Sequence, residues 1–116
     1  MLKQLPVIAL AGIAAFATPS EAVSFKCSAA TETAERVICG NAKLSSLDDR
    51  LATLYNDLMQ TLDREDQRDG LRDYQRRFLA TRDACGSNRS CIKGAYLDQI
   101  EVLKIRLRYA DNGWLR

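Results

Sequence analysis

"NAKLSSLDDRLATLYNDLMQTL", Asn41 to Leu62, is the stretch whose period decides the fold. Leu44, Leu47, Leu51, Leu54, Leu58 and Leu62 recur at steps of three and four residues, the spacing that gathers side chains on one face of an α-helix. Tyr55 and Met59 widen the stripe to the breadth a bundle helix needs. Asn41 stands just ahead, with a side chain suited to accept from the unpaired N–H groups of a first turn. The spacing predicts a helix over 42–62.

The same period continues on both sides. "DREDQRDG", from Asp63 to Gly70, interrupts it, and a short turn is expected near Asp63 to Asp66. The next segment turns Leu71, Tyr74, Phe78 and Leu79 inward and ends close to Cys85-Gly86, where glycine suits the left-handed residue that closes a helix. Gly70 falls in its first turns, at a cost of roughly 1 kcal/mol relative to alanine. A last long helix is expected to start within Asn88 to Cys91. It carries Ile92, Ala95, Tyr96, Ile100, Leu103 and Leu107, and Asn112-Gly113 stops it. Upstream lies a short amphipathic piece, Thr33 to Cys39, for which Thr31 and Glu32 are alternative caps. No segment after residue 22 alternates as a strand does. The expected fold is all-α: a small antiparallel bundle of three main helices plus a short N-terminal helix, in one domain over 23–116.

The first residues have the form of a secretory leader. Lys3 precedes an apolar run of thirteen, Leu5 to Ala17, and Ser20 and Ala22 supply small residues for cleavage between Ala22 and Val23; a cut after Ala17 is the alternative. The run falls short of the about 20 residues of a spanning helix. A lipid anchor would need a cysteine directly after the run, and the first is Cys27. The expectation is therefore a soluble, monomeric protein of the periplasm or the exterior, with no membrane span and no lipid anchor. Its net charge of +2 is too weak to indicate nucleic acid as a partner.

Four cysteines and no histidine narrow the chemistry. Structural zinc favours close Cys pairs, often completed by histidine, whereas the spacings here are C-x11-C and C-x5-C. Neither a metal nor a cofactor is expected. An even count in an exported chain reads as disulfides. Cys85 ends one helix and Cys91 begins the next, so a bridge would clamp that turn. Cys27 and Cys39 flank the short helix, so a bridge would pin an extended N-terminal strand along it. Spacing alone leaves the other two connectivities open; placement favours Cys27–Cys39 with Cys85–Cys91. On a loop-entropy basis such rings contribute roughly 2–3 kcal/mol each.

Catalysis finds little support. The commonest general base is missing, and the acids fall three or four residues from arginines: Glu65 and Arg68, Asp69 and Arg72, Asp73 and Arg77. Such pairs are solvated helix support. Arg64, Arg68, Arg72 and Arg76 would form a stripe for a polyanion only if the helix ran through them, and the interleaved acids favour a solvated face. Tyr55, Tyr74, Phe78 and Tyr96 lie on apolar stripes and read as core. Trp114 follows the last helix stop and either packs back or stands as a contact. The chain reads as a binding protein, not an enzyme.

Three blocks together resemble the LprI-like lysozyme-inhibitor domain family. Cys27, Glu35, Ile38, Cys39, Leu44, Leu47, Asp48, Leu51 and Tyr55 match its opening. Gln75, Arg76, Phe78, Leu79, Arg82, Asp83 and Cys85 match its central block, and Cys91, Ala95, Tyr96, Ile100 and Leu103 its closing helix. Phe78 stands where the family usually has tryptophan, and Ala42 where it often has proline. The resemblance implies a protein partner, lysozyme, and no catalytic residue. Its matched positions read as staples, caps and core. The candidate contact is the polar turn Gly86 to Ser90, with Ser87, Asn88 and Arg89, together with Trp114. The competing reading is an envelope interaction module without inhibitory activity, binding a partner through Trp114 and Leu115.

Overall fold

The computed structural model describes residues 24–113; the segment read as a leader, the cleavage point expected in it, Trp114 and Leu115 lie outside the described residues. Among the described residues four α-helices follow a 3-10 turn over Cys27–Ala29. They are α1 (Thr33–Cys39), α2 (Ala42–Thr61), α3 (Glu65–Ala84) and α4 (Arg89–Asp111). The chain around Cys27 is thus a tight turn and not the extended strand expected from sequence. A single 3-10 turn brings Cys27 back to Cys39 with 5.9 Å between their α-carbons.

The helix ends follow local chemistry. The Asn41 side chain accepts from the Leu44 N–H at 3.0 Å, and Asn88 does the same for Cys91 at 2.9 Å; each satisfies one donor that a helix start leaves unpaired. Glu32 precedes α1 without a side-chain cap. The break between α2 and α3 spans residues 62–64, slightly earlier than the sequence suggests, because Glu65 and Asp66 already belong to the first turn of α3. Acids are favoured there by the helix dipole. Gly86 takes φ +60° after α3, and Gly113 takes φ +82° after α4, the left-handed positions glycine fills at least cost.

Each helix contributes its stripe to one core. Leu44, Leu51 and Leu58 from α2 meet Leu71 and Phe78 from α3, and Ile92, Tyr96, Ile100 and Leu103 from α4. Ala34 and Ile38 bring α1 onto the same cluster. Phe78 meets Tyr96 edge to face, with ring centroids 5.3 Å apart; Tyr55 and Tyr74 pack against the cluster half-buried. The most extensive packing joins α2 to α4.

Arg68, Arg72, Arg76 and Arg77 of α3 are solvated support, as their spacing indicates. Arg64 lies outside the helix and pairs with Asp66. Arg68 and Arg72 share Glu65, and Arg72 also reaches Asp69. Arg76 and Arg77 both pair with Asp73. The stripe begins only at Arg68, and its charges are already answered on the same helix. These exposed pairs add little to stability.

Candidate functional site

The two bridges are Cys27–Cys39 and Cys85–Cys91, the pairing that placement favours. No cysteine is free. Among the described residues no cluster of potential metal ligands forms, and no helix is long and apolar enough to cross a membrane.

The second bridge closes a turn whose residues 87–90 are all exposed. The turn is held from inside as well as by sulfur. The Asn88 N–H donates to the Cys85 carbonyl, and the Gly86 N–H to that of Asp83. Asn88 therefore has its side-chain oxygen committed to the cap of α4, which leaves Ser87, Arg89 and Ser90 as the free polar groups of the tip. Arg89 is the first residue of α4, where the helix dipole disfavours a cation.

Behind this turn lies a feature the sequence reading did not anticipate. Glu35 of α1, Asp48 of α2, Arg82 and Asp83 of α3, and Tyr96 of α4 form one hydrogen-bonded network, so that every helix supplies a member. Arg82 is 2% exposed and Asp48 3%. The Tyr96 hydroxyl donates to Asp48 Oδ1 at 2.7 Å and accepts from Arg82 Nη1 at 3.4 Å. Arg82 Nη2 reaches Glu35 Oε2 at 3.2 Å, while its Nε and Nη2 both reach Asp83 Oδ1, at 2.9 and 2.8 Å. The Ser24 N–H donates to the other Asp48 oxygen at 2.6 Å, and the Phe25 ring lies 5.4 Å from the guanidinium carbon. A buried cation is tolerable only when its donors are answered in this way.

The electrostatics follow from burial. Removal from water pushes the Tyr96 phenol strongly upward, and the adjacent Asp48 charge adds to the shift. For Arg82, burial works against the charge, yet Tyr96 and Asp83 outweigh it and hold the pKa above the ordinary arginine value. The raised Tyr96 pKa has a consequence for stability. Below about pH 10 the phenol is protonated in both folded and unfolded chains, and the network's stabilisation is complete. Above that, the unfolded chain releases the proton and the folded one does not. Stability should therefore fall by about 1.4 kcal/mol per pH unit as pH rises from 10 towards the folded value. Urea melts between pH 9 and 11 should show this fall, and Tyr96→Phe should lack that component.

The remaining family-pattern residues divide between core and surface. Ile38 and Phe78 are buried, and Leu47 packs against the core. Tyr55, Gln75, Arg76 and Leu79 line a shallow groove of about 540 Å³ between α2 and α3. Gln75 accepts there from Gln99 Nε2 at 3.1 Å.

A family model described as "Lysozyme inhibitor LprI" matches residues 26–112, a span that includes both bridges, the five network residues and the clamped turn. The chain belongs to the LprI family. Neither the curated proteins nor the solved structures give a match. By its description the LprI family is one of lysozyme inhibitors.

Proposed function

We propose that this LprI domain is exported and binds lysozyme, closing the enzyme's cleft with the clamped turn Gly86–Ser90. One observation carries the reading: the Cys85–Cys91 bridge fixes a tip whose residues 87–90 are all exposed. A loop ordered before contact loses less entropy on binding. The chemistry of the target fits the tip. Glycosidases cut between two carboxyl groups flanking the scissile bond, and Arg89 presents a guanidinium, whose planar fork pairs with carboxylates. Its place at the first residue of α4 gives nothing to the helix, as expected of a residue kept for contact and not for folding.

The test is lysozyme clearing of a cell-wall suspension with the oxidised protein present. Wild type should slow clearing, and Arg89→Glu should lose inhibition by roughly tenfold or more. The same substitution should leave the thermal midpoint equal or higher, because an acid now sits at the helix N-terminus. No slowing at large molar excess, across several lysozyme types, would sink the inhibitor reading. The second reading, an interaction module of the envelope, is favoured by Tyr55, Gln75, Arg76 and Leu79 meeting in the α2–α3 groove. Recovery of no envelope partner on the immobilised protein would count against it.

A further inference from the structure

Gly70 sits within α3 where neither backbone nor packing requires glycine. It is not among the positive-φ glycines, and a Cβ there would meet nothing within 4 Å. Glycine in a helix interior is a cost that calls for another reason. The open space is the mouth of a groove of about 600 Å³ between the lower halves of α3 and α4, away from the clamped turn. That volume lies within the roughly 300–1,000 Å³ of small-molecule sites. Leu58, Leu62 and Leu71 form its floor, and Val102 and Ile105 one wall.

The groove has a polar end of one sign. Arg106 lies over the Tyr74 ring, its guanidinium carbon 4.4 Å from the centroid, and Arg77 lies 5.8 Å from the same ring. Arg77 is paired with Asp73. Arg106 has no carboxylate partner among the described residues. Stacking uses the face of a guanidinium and leaves its N–H edge available for a two-point contact with an anion. Gln67, on the same lining, buries its Oε1 with no donor, so the groove is not satisfied from within.

We infer that the α3–α4 groove binds a fatty acid, with the acyl chain along Leu58, Leu62 and Leu71 and the carboxylate on Arg106. An apolar trough ending in an unpaired, pre-positioned cation is complementary to that one-chain, one-anion shape. Gly70 keeps the mouth open, since any larger side chain would project into the space. This site is independent of the turn proposed to meet lysozyme.

Calorimetric titration of the disulfide-bonded protein with dodecanoate, below its micelle concentration, tests the inference. Saturable one-to-one binding is expected, with dodecyltrimethylammonium, of equal chain length and opposite charge, roughly tenfold weaker or more. Gly70→Leu should abolish binding while leaving the thermal midpoint equal or higher, because leucine is the better helix former. Arg106→Glu should remove the preference for the anion. Absence of dodecanoate binding would overturn the inference, including the case in which sedimentation shows a second copy covering the face. So would equal affinity for both amphiphiles, or unchanged affinity in Gly70→Leu.

Discussion

Exchange of Arg82 for methionine is expected to lower the unfolding free energy by about 3–5 kcal/mol. Methionine keeps much of the aliphatic stem and its packing, so the loss reports the charge. Without the guanidinium, Glu35 and Asp83 lose their cation and Tyr96 loses a donor, while Asp48 keeps the Tyr96 hydroxyl and the Ser24 N–H. The penalty arises because removing one partner strands the others in a site with little water. A domain of this size has only about 5–15 kcal/mol in total, so the variant should be marginal at body temperature. Arg82→Lys should fall between the two, since an ammonium restores charge but cannot reach Glu35, Asp83 and Tyr96 with one planar fork. Urea unfolding followed by far-ultraviolet circular dichroism measures the difference, with the slope used to confirm that the unfolded reference is unchanged. A loss under about 1 kcal/mol would mean that the network is screened like a surface pair.

This network also marks where the sequence was legible and where it was not. The helices could be read because each carries a stripe at three- and four-residue steps, with Asn41, Asn88, Gly86 and Gly113 at its ends. The network residues occupy the same stripes. Asp48 is four after Leu44 and three before Leu51, and Arg82 is four after Phe78; Gln99, outside the network, is likewise three after Tyr96. These three are the buried polar residues of the described chain. The signal was therefore present, as polar and charged side chains on positions that periodicity assigns to the core. What periodicity does not supply is the partner, because Arg82 finds Glu35 across 47 residues of sequence. The short N-terminal turn was missed for a related reason: three residues are too few to display a period. The α3–α4 groove was equally hidden, since Gly70 reads in sequence only as a local cost.

Reduction of both disulfides is expected to cost about 5 kcal/mol in total, with the larger part from Cys27–Cys39. The bridged residues are 12 apart in one case and 6 in the other, and a longer loop removes more freedom from the unfolded chain. For a domain of this length such a loss corresponds to a fall of on the order of 20 °C or more in the thermal midpoint. Paired serine variants separate the two contributions. Cys27→Ser with Cys39→Ser should lose about 3 kcal/mol, because it also frees the segment that brings Ser24 and Phe25 to the network. Cys85→Ser with Cys91→Ser should lose nearer 2 kcal/mol. Its effect on lysozyme should nevertheless be the greater of the two, since residues 87–90 then pay their ordering cost at the moment of binding. Equal losses of inhibition in the two pairs, at equal fractions folded, would show that the turn acts only through global stability. A selective loss in the second pair separates the role of the bridge as a staple from its role in shaping the tip.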